Sequence, residues 1–175
     1  MAAVVTILSL TIYAVVQQDL RLTANDPQIQ IAEDIAGMLS AGQADQLSFP
    51  PEKIDISKNL SPFVTLFDQK GTPVLATTYL DGKVPVPPKG VFDYASKHGE
   101  DRFTWMPKAG VRSAVVIAKF GGKNPGFVLV GRSLKEVEKR EDKILLIVGL
   151  AWLVTLFFAT VPFFLYKVIR LKLFK

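Results

Sequence analysis

Glu33-Asp34 and Glu100-Asp101 are pairs of acids adjacent in the chain. Two carboxylates catalyse hydrolysis only when both face one substrate. Neighbouring residues on a helix or strand point apart, so neither pair makes an acid–base dyad, and both read as solvated surface. The 175 residues include no cysteine and one histidine, His98. Without cysteine there is no disulfide, thiolate metal site, iron–sulfur cluster, covalent haem or thiol nucleophile. A single histidine excludes a multi-histidine metal centre, and any Ser-His-Asp arrangement must use His98. That residue falls near the end of a predicted helix and reads as a cap or surface group. Gly121-Gly122-Lys123-Asn124-Pro125-Gly126 has the glycines and lysine of a phosphate-binding loop. It joins two predicted strands, however, and a phosphate loop leads into a helix N-terminus. It reads as a hairpin turn. No nucleophile stands beside a base, so the sequence predicts no enzyme, no metal site and no cofactor.

Residues suited to binding are easier to find. Strand alternation puts Phe103 and Trp105 on one face of one strand, and Arg112, Ala114, Val116 and Ala118 on one face of the next. Small residues beside an arginine leave room for a ligand, and an arginine holds a carboxylate through two bonds. The alternative is a filled core with Arg112 at its rim.

The elements that position these residues follow from periodicity. Asn25-Asp26-Pro27 opens a helix over 28–40, with Asp26 as N-cap and Pro27 at the first helical position. Ile29, Ala32, Ile35, Ala36 and Leu39 recur along one side, and Gly42 is placed to stop the helix in a left-handed conformation. This helix follows an apolar one, and the two are expected to be separate or joined through a kink at Pro27. Residues 43–61 read as a polar connector. A hairpin follows, with strands over 63–68 and 74–78 and a turn at Gln69-Lys70-Gly71. Residues 79–89 form a loop with three prolines, and 90–97 a short helix. Strands are predicted over 102–106, 111–120 and 127–131, the first turned by Pro107-Lys108-Ala109-Gly110. From Ser133, with Glu136 as capping-box partner, the pattern is helical and runs on into apolar sequence without a breaker.

The hydrophobic content is 49% and the mean hydropathy +0.28, and the apolar residues gather at the two ends. No charged residue occurs before Asp19, and the twenty-three residues from Ile144 to Tyr166 are uncharged. A bilayer core needs about 20 residues of helix. Two membrane spans are expected, over 1–18 and 143–166. The first lacks the basic residues that usually precede a signal anchor, which leaves Met1 as a late start or a truncation point. No A-x-A-like site precedes Gln17, so it is not read as a cleaved signal peptide. Net charge is +5, and Lys167, Arg170, Lys172 and Lys175 stand in the last nine residues with no acid among them. These four set the topology: a cytoplasmic tail over 167–175 beside anionic lipid, and residues 19–142 outside. No basic stripe runs through the intervening domain, so nucleic acid is not an expected partner. No ionisable residue interrupts either span, so neither reads as an ion path. Trp152, Thr155 and Thr160 are candidates to face partner helices, and Pro162 to kink the second span.

An α+β domain with a five-stranded antiparallel sheet and flanking helices, bracketed by two spans, is the predicted architecture. The order of its elements and the stretch Gly126–Asp142 (GFVLVGRSLKEVEKRED), a last strand ending in Gly-Arg-Ser before a helix towards the membrane, resemble the PAS-like extracytoplasmic sensor domains called Cache or PDC. The resemblance implies a small-molecule ligand between the sheet and the crossing loop or helix, which adds Tyr79, Asp81 and Tyr94 to Arg112, Trp105 and Phe103. The arginine and tryptophan pattern of amino-acid-binding members is not evident, so the ligand class stays open. The expected function is that of a non-enzymatic sensor or binding module in a bacterial cytoplasmic membrane. Its domain would face the periplasm or exterior, and its signal would pass through a membrane partner, since nine residues follow the second span. The alternative is an accessory subunit of a larger membrane complex, with the domain used for docking.

Overall fold

Val, Ile and Ala crowd the segments 111–120 and 127–131 on both sides of the strand alternation, which is the pattern of strands covered on both faces. The computed structural model describes residues 2–23 and 26–173. Its helices are α1 (Ala2–Thr23), α2 (Asp26–Ser40), α3 (Lys89–His98) and α4 (Lys135–Leu173). Its strands are β1 (Ile54–Asp55), β2 (Phe63–Asp68), β3 (Pro73–Ala76), β4 (Thr78–Tyr79), β5 (Glu100–Lys108), β6 (Val111–Phe120) and β7 (Gly126–Ser133). The chain divides into a unit over Leu22–Val137 and a unit made of Met1–Arg21 and Glu138–Lys175.

The first of these is α+β. Its five-stranded sheet has the order β3-β2-β7-β6-β5, antiparallel throughout. The interior strands β6 and β7 are buried along most of their length, as their composition requires. One face carries Phe63, Phe67, Trp105, Val115, Ile117, Phe127 and Leu129, closed by Phe92 and Ala95 of α3. The other carries Val116, Ala118, Phe120, Val128 and Val130, closed by Ala32, Ile35 and Ala36 of α2.

Local chemistry accounts for the ends of the elements. Gly42, at φ +76°, stops α2: its N–H bonds Leu39 O and that of Gln43 bonds Met38 O, the paired bonds of a Schellman motif. Gly99, at φ +90°, stops α3. The Ser133 hydroxyl accepts from the Lys135 N–H at 3.3 Å where α4 begins. The side chain of Asp26, the expected N-cap, and the junction of the expected kink lie outside the described side chains and residues.

Three expectations need correction. The second hairpin strand does not run over 74–78. It breaks at Thr77, whose hydroxyl accepts from Val64 N–H at 2.9 Å and donates to Val64 O at 3.2 Å, so a side chain takes over the ladder as the backbone leaves the sheet. The chain beyond it, β4, pairs in parallel with β1, a strand inside what reads as polar connector. Pro107 lies within β5 and not in a turn. β5 is an edge strand with a register shift between Trp105 and Lys108, and an edge tolerates a residue without an N–H.

In the second unit, Ala2–Leu20 of α1 and Lys135–Lys167 of α4 are long and apolar enough to cross a membrane. Large apolar side chains such as Ile7, Leu10, Leu146 and Phe158 are exposed along them. Helix α4 continues through Pro162. The hydroxyls of Thr155 and Thr160 bond Ala151 O and Leu156 O of their own helix, whereas the Trp152 indole N–H reaches Thr6 of α1 at 2.9 Å. Lys167, Arg170 and Lys172 are exposed near the end of α4, and Lys175 lies outside the described residues.

Candidate functional site

Phe103 pairs with Val115 and Trp105 with Ser113 across β5 and β6, so both aromatic side chains lie on the sheet face that α3 covers. The Phe92 ring of α3 meets Phe67 edge-on at 5.1 Å and Phe127 at 5.4 Å, the geometry that aromatic quadrupoles favour. Trp105 is buried in the same cluster as Ile56 and Leu80. Side chains from α3 and from the segments of Ile56 and Leu80 therefore pack against this face. Among the described residues, Ser113 Oγ is the one buried side-chain polar atom without a hydrogen-bond partner.

The crossing segment reaches this face through Leu80. Leu80 enters the cluster, and Asp81-Gly82 makes a two-residue turn with both φ positive, 50° and 78°. Leu80 and Lys83 exchange backbone bonds of 2.8 and 3.0 Å across it, which is a type I′ hairpin built from its preferred Asp-Gly pair. Both carboxylate oxygens of Asp81 accept from Lys108 Nζ, at 2.9 and 2.8 Å, tying the turn to the end of β5. Asp81 is thus held in a surface ion pair. Tyr79 sits in β4 opposite Asp55 and is half-buried. Tyr94 is exposed on α3, stacked on His98 with ring centroids 4.1 Å apart, and His98 Nδ1 lies 3.0 Å from Tyr94 O. The single histidine is an exposed group at a helix end.

Arg112 does not join this set. It belongs to the opposite sheet face with Ala114, Val116 and Ala118, and is exposed near the start of β6. The room left by the small residues is taken by α2, whose Ala32 and Ala36 pack beside Val116 and Ala118. Small side chains here admit a helix at close range. Arg112 and Trp105 therefore lie on opposite faces of the sheet; Phe103 shares the face of Trp105, Tyr79 stands in β4, Asp81 in a surface turn and Tyr94 on the exposed side of α3.

A groove of about 350 Å³ does exist, at a place none of the six reaches. Leu39, Leu66, Val74, Phe120 and Pro125 make it mostly apolar, with Asp68 and Lys123 as its charged lining. Its walls are fixed by polar contacts. The Ser40 hydroxyl donates to Ala36 O at 2.7 Å and accepts from Gly121 N–H at 3.0 Å, joining the end of α2 to the β6–β7 turn. Asp68 Oδ1 accepts from the N–H groups of Lys70 and Thr72 at 2.9 and 2.8 Å, closing the β2–β3 turn. Those backbone donors, Thr72 first, hold the Asp68 carboxyl below its ordinary value. The Ser57 hydroxyl and N–H do the same for Asp55. Sequence spacing alone does not disclose this groove, because its lining comes from the end of α2, from β2 and β3, and from the end of β6 with the turn after it, far apart in the chain. The two hairpin turns, each legible from its glycine, are the signal that marks its rim. Among the described residues no three His, Asp or Glu side chains gather as a metal site would require.

No protein-family model, curated protein or solved structure matches this chain.

Proposed function

We propose that the protein is a non-enzymatic module anchored in a bacterial cytoplasmic membrane by α1 and α4, with its α+β unit on the outer side, acting through a membrane partner. The observation that carries this reading is the continuity of α4. It begins two residues after the end of β7 and runs unbroken for 39 residues, into and through the apolar stretch. A helix without a break transmits a shift or a load from the strand that feeds it. The order of elements in Leu22–Val137, α2, the strands β1 to β4, α3 and the strands β5 to β7, is compatible with a PAS-like sensor domain. The basic residues Lys167, Arg170 and Lys172 support a cytoplasmic tail.

Two forms of this function differ in what the domain recognises. The filled face beneath α3 favours docking, as an accessory subunit of a larger complex. The groove beside Asp68 and Lys123 favours a sensor of a small, mostly apolar molecule. Purification from native membranes in mild detergent, with identification of co-purifying proteins, tests the partner. A reporter fused after Lys175 is expected to be active only in the cytoplasm, and one inserted at Gly121–Gly126 only outside. The opposite pattern overturns the topology. Two glycines inserted after Lys139 weaken and rotate α4, each costing about 1 kcal/mol of helix propensity. Loss of co-purification or of response is the expected outcome. No change in either means the domain is merely tethered.

A further inference from the structure

Tryptophan is enriched where a span meets the membrane surface, because its ring is apolar and its N–H wants water. Trp152 is placed differently. It stands eight residues beyond Ile144, the start of the uncharged stretch, which is about 12 Å along a helix. At that depth in hydrocarbon the indole N–H must find a partner within the protein. It finds the Thr6 hydroxyl, at 2.9 Å. Thr6 loses nothing by accepting. Its own proton is given to Ala2 O at 3.0 Å, as Thr11 gives its proton to Ile7 O, and this leaves the oxygen's lone pairs free.

We infer that the Trp152–Thr6 bond sets α1 and α4 of one chain as an intramolecular pair within the bilayer. This rests on the membrane reading above. A partner then meets the outer sides of that pair, and Trp152, the span residue best able to seek a polar group on a partner, is already engaged.

The absence of native cysteine makes the test clean. The full chain carrying Thr6→Cys and Trp152→Cys is oxidised in membranes and then cleaved within the domain by a protease. Thr6→Cys with Val154→Cys serves as a control turned away on the helix. Fragments that stay joined until reduction, several-fold more in the first pair than in the control, are the expected result. Disulfide-linked dimers in place of joined fragments overturn the inference, as does equal linking in both pairs or none in either. Release of the protein by alkaline carbonate overturns the membrane reading itself, and is scored separately. Because the cysteines remove the bond they report on, Trp152→Phe, Thr6→Val and the double variant are compared by thermal unfolding in detergent. The double variant is expected to shift the midpoint no further than the larger single change, and a fully additive shift overturns the pairing.

Discussion

The ring of Phe63 lies against Gly131. The two residues face each other across β2 and β7, and a β-carbon built on Gly131 would stand 2.7 and 2.9 Å from Cε2 and Cε1 of that ring and nearer still to Cζ. Phe63 is 1% exposed, so the ring has nowhere to withdraw. Glycine here is a demand of packing. Its neighbours in Gly-Arg-Ser follow from where β7 ends.

Gly131→Ala is accordingly expected to destabilise the α+β unit by about 1–3 kcal/mol through overpacking. Combined with Phe63→Leu, it should cost less than the two changes summed. Urea unfolding of the full chain in detergent, followed by circular dichroism, checks both statements.

The alanines of α2 carry a second prediction. Ala32 is fully buried against the sheet, while Met38 on the same helix is 37% exposed. Ala32→Leu should lower stability by about 1–3 kcal/mol, and Met38→Leu by less than about 0.5 kcal/mol. Equal effects at the two positions would contradict the placement of α2.

Asp81 separates backbone from charge. Its ion pair with Lys108 is open to solvent, with side chains 66% and 53% exposed, so Asp81→Asn should cost less than about 1 kcal/mol. Asparagine also tolerates the positive φ. A β-branched residue does not, and Asp81→Val should cost roughly 1–2 kcal/mol more. The same unfolding measurement distinguishes them.

Acid should loosen the hairpin turn that borders the groove. Asp68 and Asp55 both titrate below their ordinary 3.8 in the folded chain, Asp68 chiefly through the Thr72 N–H and Asp55 chiefly through the Ser57 hydroxyl. A folded pKa below the unfolded one gives stability that is complete above the unfolded pKa and is lost as pH falls through the folded one. The loss is expected to set in as pH falls below their ordinary 3.8. Asp68→Asn keeps the oxygen that accepts both N–H groups and should flatten this acid limb. Asp68→Ala should weaken the turn at every pH. Unfolding midpoints measured over falling pH decide between these outcomes.

The sequence by itself determined the elements and their faces. Alternation along 111–120 separated Val115 and Ile117 from Val116 and Ala118, and these are the two faces observed. Helical spacing identified Ala32, Ile35 and Ala36 as the buried side of α2, and Gly42 as its stop. The uncharged ends of the chain marked the two helices fit to cross a membrane. All of these are one-dimensional signals, because a strand repeats every two residues and a helix every 3.6. Tertiary structure alone decided what covers each face. The small residues beside Arg112 are as consistent with a ligand as with a helix, and only the packing of Ala32 and Ala36 against that face resolves it. Phe103 and Trp105 share a face in either case, but whether that face holds a cavity depended on Phe92, Leu80 and Ile56 arriving from three other segments. Thr77 turning the chain out of the sheet, Ser40 anchoring Gly121 and Trp152 reaching Thr6 are contacts between residues 13, 81 and 146 positions apart. Periodicity says which side of an element an atom lies on. Partners at such separations are chosen by how the whole chain closes, and no local pattern encodes that choice.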